Sequence, residues 1–312
     1  MVLHLQPLTR ARNRVLIIFN PTAGAGGRRR LAQVLEALRA AGATVSVQET
    51  LRAGDATAFA GAAPAAGFQV VVAAGGDGTA NEVASGLVGS ALPMALLPLG
   101  TANVLAAEIG LARDAATIAA AILRGPVRPV HLGLANGRHF LVMAGVGFDA
   151  HVVAEMDLRW KRALGKLAYV LQSLLLLRHY RFPAFDVRVD GVGHRAYSVV
   201  VAKAHYYGGR HVCAPEARLQ DARFQVCLFL DRGPLAVLRY GLRLLTGSLP
   251  RAPGIELVFG SEIAVSGPPG DPVQGDGDSI GQLPLRIALE PRLLLLVGPA
   301  GPAALADAAA PC

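Results

Sequence analysis

The stretch Gln69-Val70-Val71-Val72-Ala73-Ala74-Gly75-Gly76-Asp77-Gly78-Thr79-Ala80-Asn81-Glu82 decides how this chain folds. Gln69 to Ala73 is an apolar strand that runs straight into Gly75 to Thr79, and Ala80 to Leu87 reads as a helix. Three glycines let the backbone approach a phosphate closely. Their N–H groups, with the following helix N-terminus, favour an anion. Asp77 inside such a turn makes chemical sense when a divalent cation bridges carboxylate and phosphate. The same residues also suit a plain strand-to-helix turn with aspartate as cap.

Working outward, the pattern repeats. Val15 to Phe19 is an apolar run ending in Asn20, Pro21 and a glycine-rich stretch to Gly27. Leu31, Val34, Leu35 and Leu38 follow at helical spacing, and Gly42 stops that helix. Ala43 to Val47 reads as a second strand, and Asp55 as N-cap of a helix through Ala66. Ala95 to Leu97 is another buried strand, followed by Gly100-Thr101 and a helix through Ile109. Continuous apolar strands alternating with helices predict a parallel sheet covered on both faces, a three-layer α/β domain over residues 1–126. Ligands in such sheets bind beyond the carboxyl ends of the strands. Three loops stand at those ends: Asn20-Pro21-Thr22-Ala23-Gly24, Gly75 to Thr79, and Pro98-Leu99-Gly100-Thr101-Ala102-Asn103. Thr101 suits a phosphate or ribose, or a helix cap. No Gly-Lys-Ser/Thr follows the first loop, so it is not a P-loop, and Gly24-Ala25-Gly26 lacks the third glycine of a dinucleotide fingerprint.

From Val127 the pattern changes. Short segments (His139 to Ala144, Asp186 to Asp190, Ser198 to Ala202, Phe224 to Phe229, Glu262 to Val265, Leu285 to Leu289) are separated by turns. They predict a mostly antiparallel β-rich domain over residues 127–290, interrupted by helices near 160–178 and 234–247. Leu293 to Val297 is a continuous apolar strand that suits a return to the first domain, with residues 291–312. The tail from Gly298 reads as frayed.

At 312 residues the chain suits two domains. Hydrophobic residues make up 53% and mean hydropathy is +0.42, which excludes a disordered chain. The longest apolar helix candidate, Leu167 to Leu177, is too short to span a bilayer and contains Gln172 and Ser173. The N-terminal segment lacks the apolar run of a secretory signal, and the three cysteines have no metal-like spacing; both point to a cytoplasmic protein. Net charge is +8, almost all of it arginine, since lysine occurs only at 161, 166 and 203. Arg159, Trp160, Lys161, Arg162 and Lys166 precede the apolar helix, and Arg178 to Arg181 follow it. Such flanks suit contact with an anionic bilayer, but a core helix with solvated ends accounts for them as well.

Asn20-Pro21 with Gly24, Thr50 ahead of Gly54-Asp55-Ala56, Gly75 to Thr79 with Asn81-Glu82, and Pro98 to Asn103 occur in the order seen in the diacylglycerol kinase catalytic family. The chain resembles its bacterial soluble lipid kinases, relatives of sphingosine kinases and, distantly, of NAD kinases. The likeness continues through Gly145-Val146-Gly147-Phe148-Asp149 and Ala214-Pro215 to Asp221. It ends at Asp276-Gly277-Asp278 with Gly281 and Pro284.

The resemblance implies ATP in a cleft between the domains, with a nucleotide site of Asn20, Thr50, Gly75, Gly76, Asp77, Gly78, Thr79, Asn81, Glu82, Thr101 and Asn103. It makes Asp276 the acceptor of a lipid hydroxyl proton and Asp77 the organiser of Mg²⁺ on the transferring phosphates. Some relatives give the first aspartate the role of base. The resemblance also implies a structural Mg²⁺ held by Asp221 and the main-chain oxygens of Arg218 and Arg223. Two departures stand out: Ala222 replaces the usual glycine after Asp221, and Val104 replaces an aspartate after Asn103. The partners implied are ATP and a lipid at a membrane surface, with no nucleic acid. A kinase acting on NAD, for which Asn81-Glu82 is suggestive, and a silent nucleotide-binding, membrane-associated protein are the alternatives.

Overall fold

The computed structural model describes residues 11–24, 26–156 and 166–300. Two compact units emerge, one of residues 1–130 with 292–312 and one of residues 131–291. The first opens with β1 (Arg14–Phe19), α1 (Gly27–Ala40), β2 (Thr44–Glu49) and α2 (Asp55–Ala62). It continues with β3 (Val70–Gly75), α3 (Asp77–Leu87), β4 (Met94–Pro98), α4 (Val104–Glu108), α5 (Ala115–Arg124) and β5 (Val127–Val130).

Counting strands in chain order, the last of all, β20 (Leu294–Val297), returns to this unit. The sheet runs β2-β1-β3-β4-β20-β5, parallel except for β5. Every residue of β3 and β4 is buried, as continuous apolar runs in a doubly covered sheet require, whereas the edge strand β2 is largely exposed. On one face, Leu31, Val34 and Leu38 of α1 meet Ile118 and Ile122 of α5 over Val15, Ile17 and Phe19.

The second unit holds β6 (Gly133–Ala135), β7 (Arg138–Phe140), β8 (Met143–Val146), β9 (Phe185–Val189), β10 (Val192–Ala196), β11 (Ser198–Ala202), β12 (Tyr206–Tyr207) and β13 (His211–Val212). It continues with β14 (Phe224–Phe229), β15 (Ile255–Gly260), β16 (Ile263–Ser266), β17 (Pro272–Gly275), β18 (Asp278–Gln282) and β19 (Leu285–Leu289). Its helices among the described residues are α6 (Phe148–Ala154), α7 (Lys166–Leu176) and α8 (Pro234–Leu245). Two six-stranded antiparallel sheets form, β10-β9-β16-β19-β6-β7 and β15-β14-β11-β8-β17-β18. Their facing residues share one core in which the rings of Phe140 and Phe224 stack 5.8 Å apart. The expected α/β domain and antiparallel β-rich domain are both present.

Several boundaries differ from expectation. The segment expected from His139 to Ala144 is two strands, β7 and β8, broken at Leu141 and Val142. Arg159 to Arg162, part of the expected basic flank, lies outside the described residues, as does residues 301–312 of the tail.

Candidate functional site

In the first unit the three strand-end loops pack on one another through positions where no side chain fits. A β-carbon on Gly100 would stand 2.6 Å from the α-carbon of Gly76, and one on Gly24 would strike the carbonyl oxygen of Leu99. Gly75 likewise has no room for a β-carbon beside the Thr79 side chain. Asn20 donates through Nδ2 to Thr79 Oγ1 at 3.1 Å and accepts at Oδ1 from the Thr22 amide at 3.0 Å. Asn103, in the left-handed region at φ 48°, accepts at Oδ1 from the Gly100 amide at 2.9 Å. The glycines therefore serve close backbone packing as well as any phosphate. A small recess opens here, lined by Gly75, Gly76, Asp77, Pro98, Asn103 and Leu105.

Asp77 does not cap its own helix from outside; it is the first residue of α3 and reaches across to α4. Its Oδ2 accepts from the Val104 amide at 3.0 Å and its Oδ1 from the Leu105 amide at 3.2 Å. Amides at a helix start lack partners in their own helix, and Asp77 supplies them. Glu82 does the same for α2, one carboxylate oxygen accepting from Gly54 at 3.0 Å and Ala56 at 3.2 Å. Asp55 holds the turn before that helix through the amides of Leu51 and Arg52. The pairing of Gly54-Asp55-Ala56 with Asn81-Glu82 is thus in part a structural stitch. Asn81 Oδ1 accepts from Ser85 Oγ at 3.3 Å. Gly78 is half-buried beside Asp77, Thr101 is exposed in its loop, and Thr50 follows edge strand β2 with its amide on the Phe19 carbonyl at 2.9 Å.

In the second unit Asp276 and Gly277 form the two-residue turn between β17 and β18, with φ of 52° and 85°. Both positive values match the tight hairpin turn that Asp-Gly favours. The Asp276 carboxylate is clasped by three consecutive amides: Oδ2 by Leu141 at 2.7 Å, Oδ1 by Val142 at 2.8 Å and Met143 at 3.0 Å. Three donors fix its orientation and compensate its charge.

Beside this hairpin, Gln274 accepts from the Gly277 amide at 3.0 Å and donates to Asp149 Oδ2 at 3.1 Å. Asp149 lies in the first turn of α6 with Oδ1 buried and without a hydrogen-bond partner. Burial pushes its pKa up to about 6, against the pull of Gln274. The same carboxylate explains Gly145, where a β-carbon would collide with Asp149 and come within 2.8 Å of Gln274 Nε2. Nearby, His151 Nε2 stands 3.7 Å from Asp271 Oδ2, and the buried Tyr180 hydroxyl, its pKa raised by burial, also lacks a partner.

The turn from Arg218 to Arg223 carries an unexpected occupant. The main-chain oxygens of Arg218, Asp221 and Arg223 all accept from the ammonium of Lys203, at 3.2 Å for Arg218 and 3.1 Å for Arg223. Lys203 is completely buried, and burial lowers its pKa to about 8, against the attraction of Asp221. The Asp221 side chain instead lies 3.6 Å from Arg223 Nε. Among the described residues, no group of three or more His, Cys, Asp or Glu is placed to hold a metal ion. Sequence reasoning missed Lys203 and Gln274. The rarity of lysine in this arginine-rich chain was the one available signal for the first.

Residues 14–135 match the diacylglycerol kinase catalytic domain, and residues 142–298 match the YegS C-terminal NAD kinase beta sandwich-like domain. The chain belongs to the diacylglycerol kinase catalytic family. It is 32% identical over 240 residues to the diacylglycerol kinase of Bacillus subtilis, covering 75% of this chain and 79% of the relative. It is 34% identical over 287 residues to a protein of Pseudomonas aeruginosa named probable lipid kinase YegS-like, covering 88% and 91%. A crystal structure of a diacylglycerol kinase from Bacillus anthracis superposes with a TM-score of 0.73 at 25% identity, covering 94% of this chain and 98% of that one. As a member of a lipid kinase family, the chain is a phosphotransferase.

Proposed function

We propose that this kinase transfers the γ-phosphate of ATP to a hydroxyl of diacylglycerol or a similar lipid, with Asp276 accepting the hydroxyl proton. The new bond joins the lipid oxygen to the γ-phosphorus, and the bond from that phosphorus to the β,γ-bridging oxygen breaks. Such transfers need positioning and charge stabilisation more than covalent help. One observation carries the reading: a carboxylate at the tip of a tight hairpin, locked by three amides in a single orientation. A fixed carboxylate is what a proton acceptor for an incoming hydroxyl requires.

The first unit's loops are the nucleotide side of this reading. The contact between Gly76 and Gly100 packs the two loops together at the start of α3, where the helix dipole favours phosphate. Asp77 stands at the start of α3 beside these loops, its oxygens holding the Val104 and Leu105 amides. A carboxylate at this place would hold a magnesium ion arriving with the nucleotide, which would supply charge neutralisation on the phosphates. Glu82 is engaged at the start of α2, which argues against a ribose contact of the kind an NAD kinase needs.

The lipid side rests on exposed leucines. Leu235, Leu238, Leu242 and Leu245 of α8 are all exposed, at a spacing that places them along one face, as are Leu167, Val170, Leu171, Leu174 and Leu175 of α7. Arg239 and Arg243 stand on α8 as well. No helix among the described residues is long and apolar enough to cross a membrane. These faces support peripheral work on an anionic lipid surface. Parallel reactions of labelled ATP with diacylglycerol, sphingosine and NAD test the function. Label is expected in a lipid; label in NAD alone would refute the reading.

A further inference from the structure

Lys203 stands where the resemblance places a structural magnesium ion, and the fit is stoichiometric. An ammonium has three N–H donors and no acceptor. Each of the three finds a different main-chain oxygen, those of Arg218, Asp221 and Arg223. Those are the two carbonyl positions and the aspartate position of the implied metal site, now joined by the aspartate's own carbonyl.

The geometry suits nitrogen and not magnesium. Magnesium demands near-octahedral oxygens at about 2.1 Å. The Arg218 and Arg223 oxygens lie 3.2 and 3.1 Å from Nζ, ordinary hydrogen-bond lengths. The Arg218 carbonyl is further engaged by the Asp221 amide at 3.2 Å. The Phe224 ring, with its centroid 5.8 Å from Nζ, offers its face to the same charge. A divalent ion would have to share the site with a buried positive charge.

We propose that Lys203 is a built-in replacement for the divalent cation at the 218–223 turn, and that this chain takes no metal there. The consequence reaches the clasp of Asp276. The Lys203 amide donates to the Val142 carbonyl at 2.8 Å, and the Val142 amide holds Asp276 Oδ1. The residue that ties down the turn is therefore one peptide away from the carboxylate the reaction uses. An internal cation makes that support independent of magnesium supply. Only the ion that travels with ATP remains variable.

The test is thermal unfolding of the full chain without nucleotide, in EDTA and in millimolar magnesium chloride. The wild-type midpoint is expected to be the same in both. Lys203→Met, which keeps the chain length and removes the charge, is expected to lower the midpoint by about 5 °C or more. Lys203→Arg is expected not to restore it, because a planar guanidinium cannot aim three donors at three converging oxygens. A magnesium-dependent rise in the wild-type midpoint that disappears in Asp221→Asn would overturn the proposal. So would a Lys203→Met protein as stable as wild type. Should that variant fail to fold, the wild-type comparison still decides.

Discussion

Gly76 and Gly100 meet α-carbon to backbone across two neighbouring loops, so that a single added methyl on Gly100 would stand 2.6 Å from Gly76. Neither glycine has a positive φ, so the constraint at both is one of space. Gly100→Ala is expected to destabilise the protein by about 1–3 kcal/mol, as overpacking does. Gly193→Ala, at a site open on all sides, is expected to stay within about 0.5 kcal/mol. Denaturant unfolding of the two variants measures the difference; equal values would mean the loops are not in tight contact.

Asp276→Asn isolates the carboxylate. Asparagine tolerates the left-handed backbone at φ 52°, so the turn survives the change. One oxygen becomes an NH₂ that faces amide donors, and the proton acceptor is gone. The turnover number with a lipid acceptor is expected to fall by about 10² or more, and stability by about 1–3 kcal/mol. Steady-state kinetics beside a melting curve separate the two effects. Full activity in this variant would remove Asp276 from the mechanism.

Asp149 gives a pH signature. Its folded-state pKa of about 6 lies above the usual 3.8 because burial penalises the charged form. Stability from this group is therefore fully present below about 3.8 and is lost as pH rises through about 6. Asp149→Asn removes the dependence, so the variant is expected to gain on wild type across that window, by an amount of order 3 kcal/mol at neutral pH. Unfolding free energies measured from pH 4 to 7, on the scale that linkage defines, provide the check. Parallel curves for the two proteins would show the carboxyl to be ordinarily solvated.

The α8 leucines predict vesicle binding. Replacing Leu235 and Leu242, which are 82% and 63% exposed, with aspartate removes contacts worth roughly 1.5–3 kcal/mol each if they enter the bilayer. Sedimentation with anionic vesicles is expected to lose at least tenfold in affinity with no change in melting temperature. Unaltered sedimentation would assign the stripe another role.

The α/β unit was legible because its strands are continuous apolar runs and its turns carry glycine; β3 and the Gly75 turn are the plainest case. The short strands β17 and β18 were not, since Pro-Val-Gln-Gly and Asp-Ser-Ile-Gly-Gln carry no apolar alternation. Helix α5 was missed because its alanines blur the helical period. Asp276 was singled out through the ordered motifs, but its clasp was invisible: Leu141 to Met143 lie more than 130 positions away and contribute only backbone. For Asp77 and Glu82 the residues were legible and their partners were not. A carboxylate beside glycines looks the same whether it binds an ion or the start of a neighbouring helix.

The insertion of β20 between β4 and β5 has a consequence for how the protein is made. Until Leu294–Val297 leaves the ribosome, β5 has no strand to pair with and β4 keeps one open edge. The N-terminal unit, though translated first, is completed last. A nascent chain halted before that strand would hold an unfinished sheet, and a fragment ending at residue 130 would need the final strand supplied in trans.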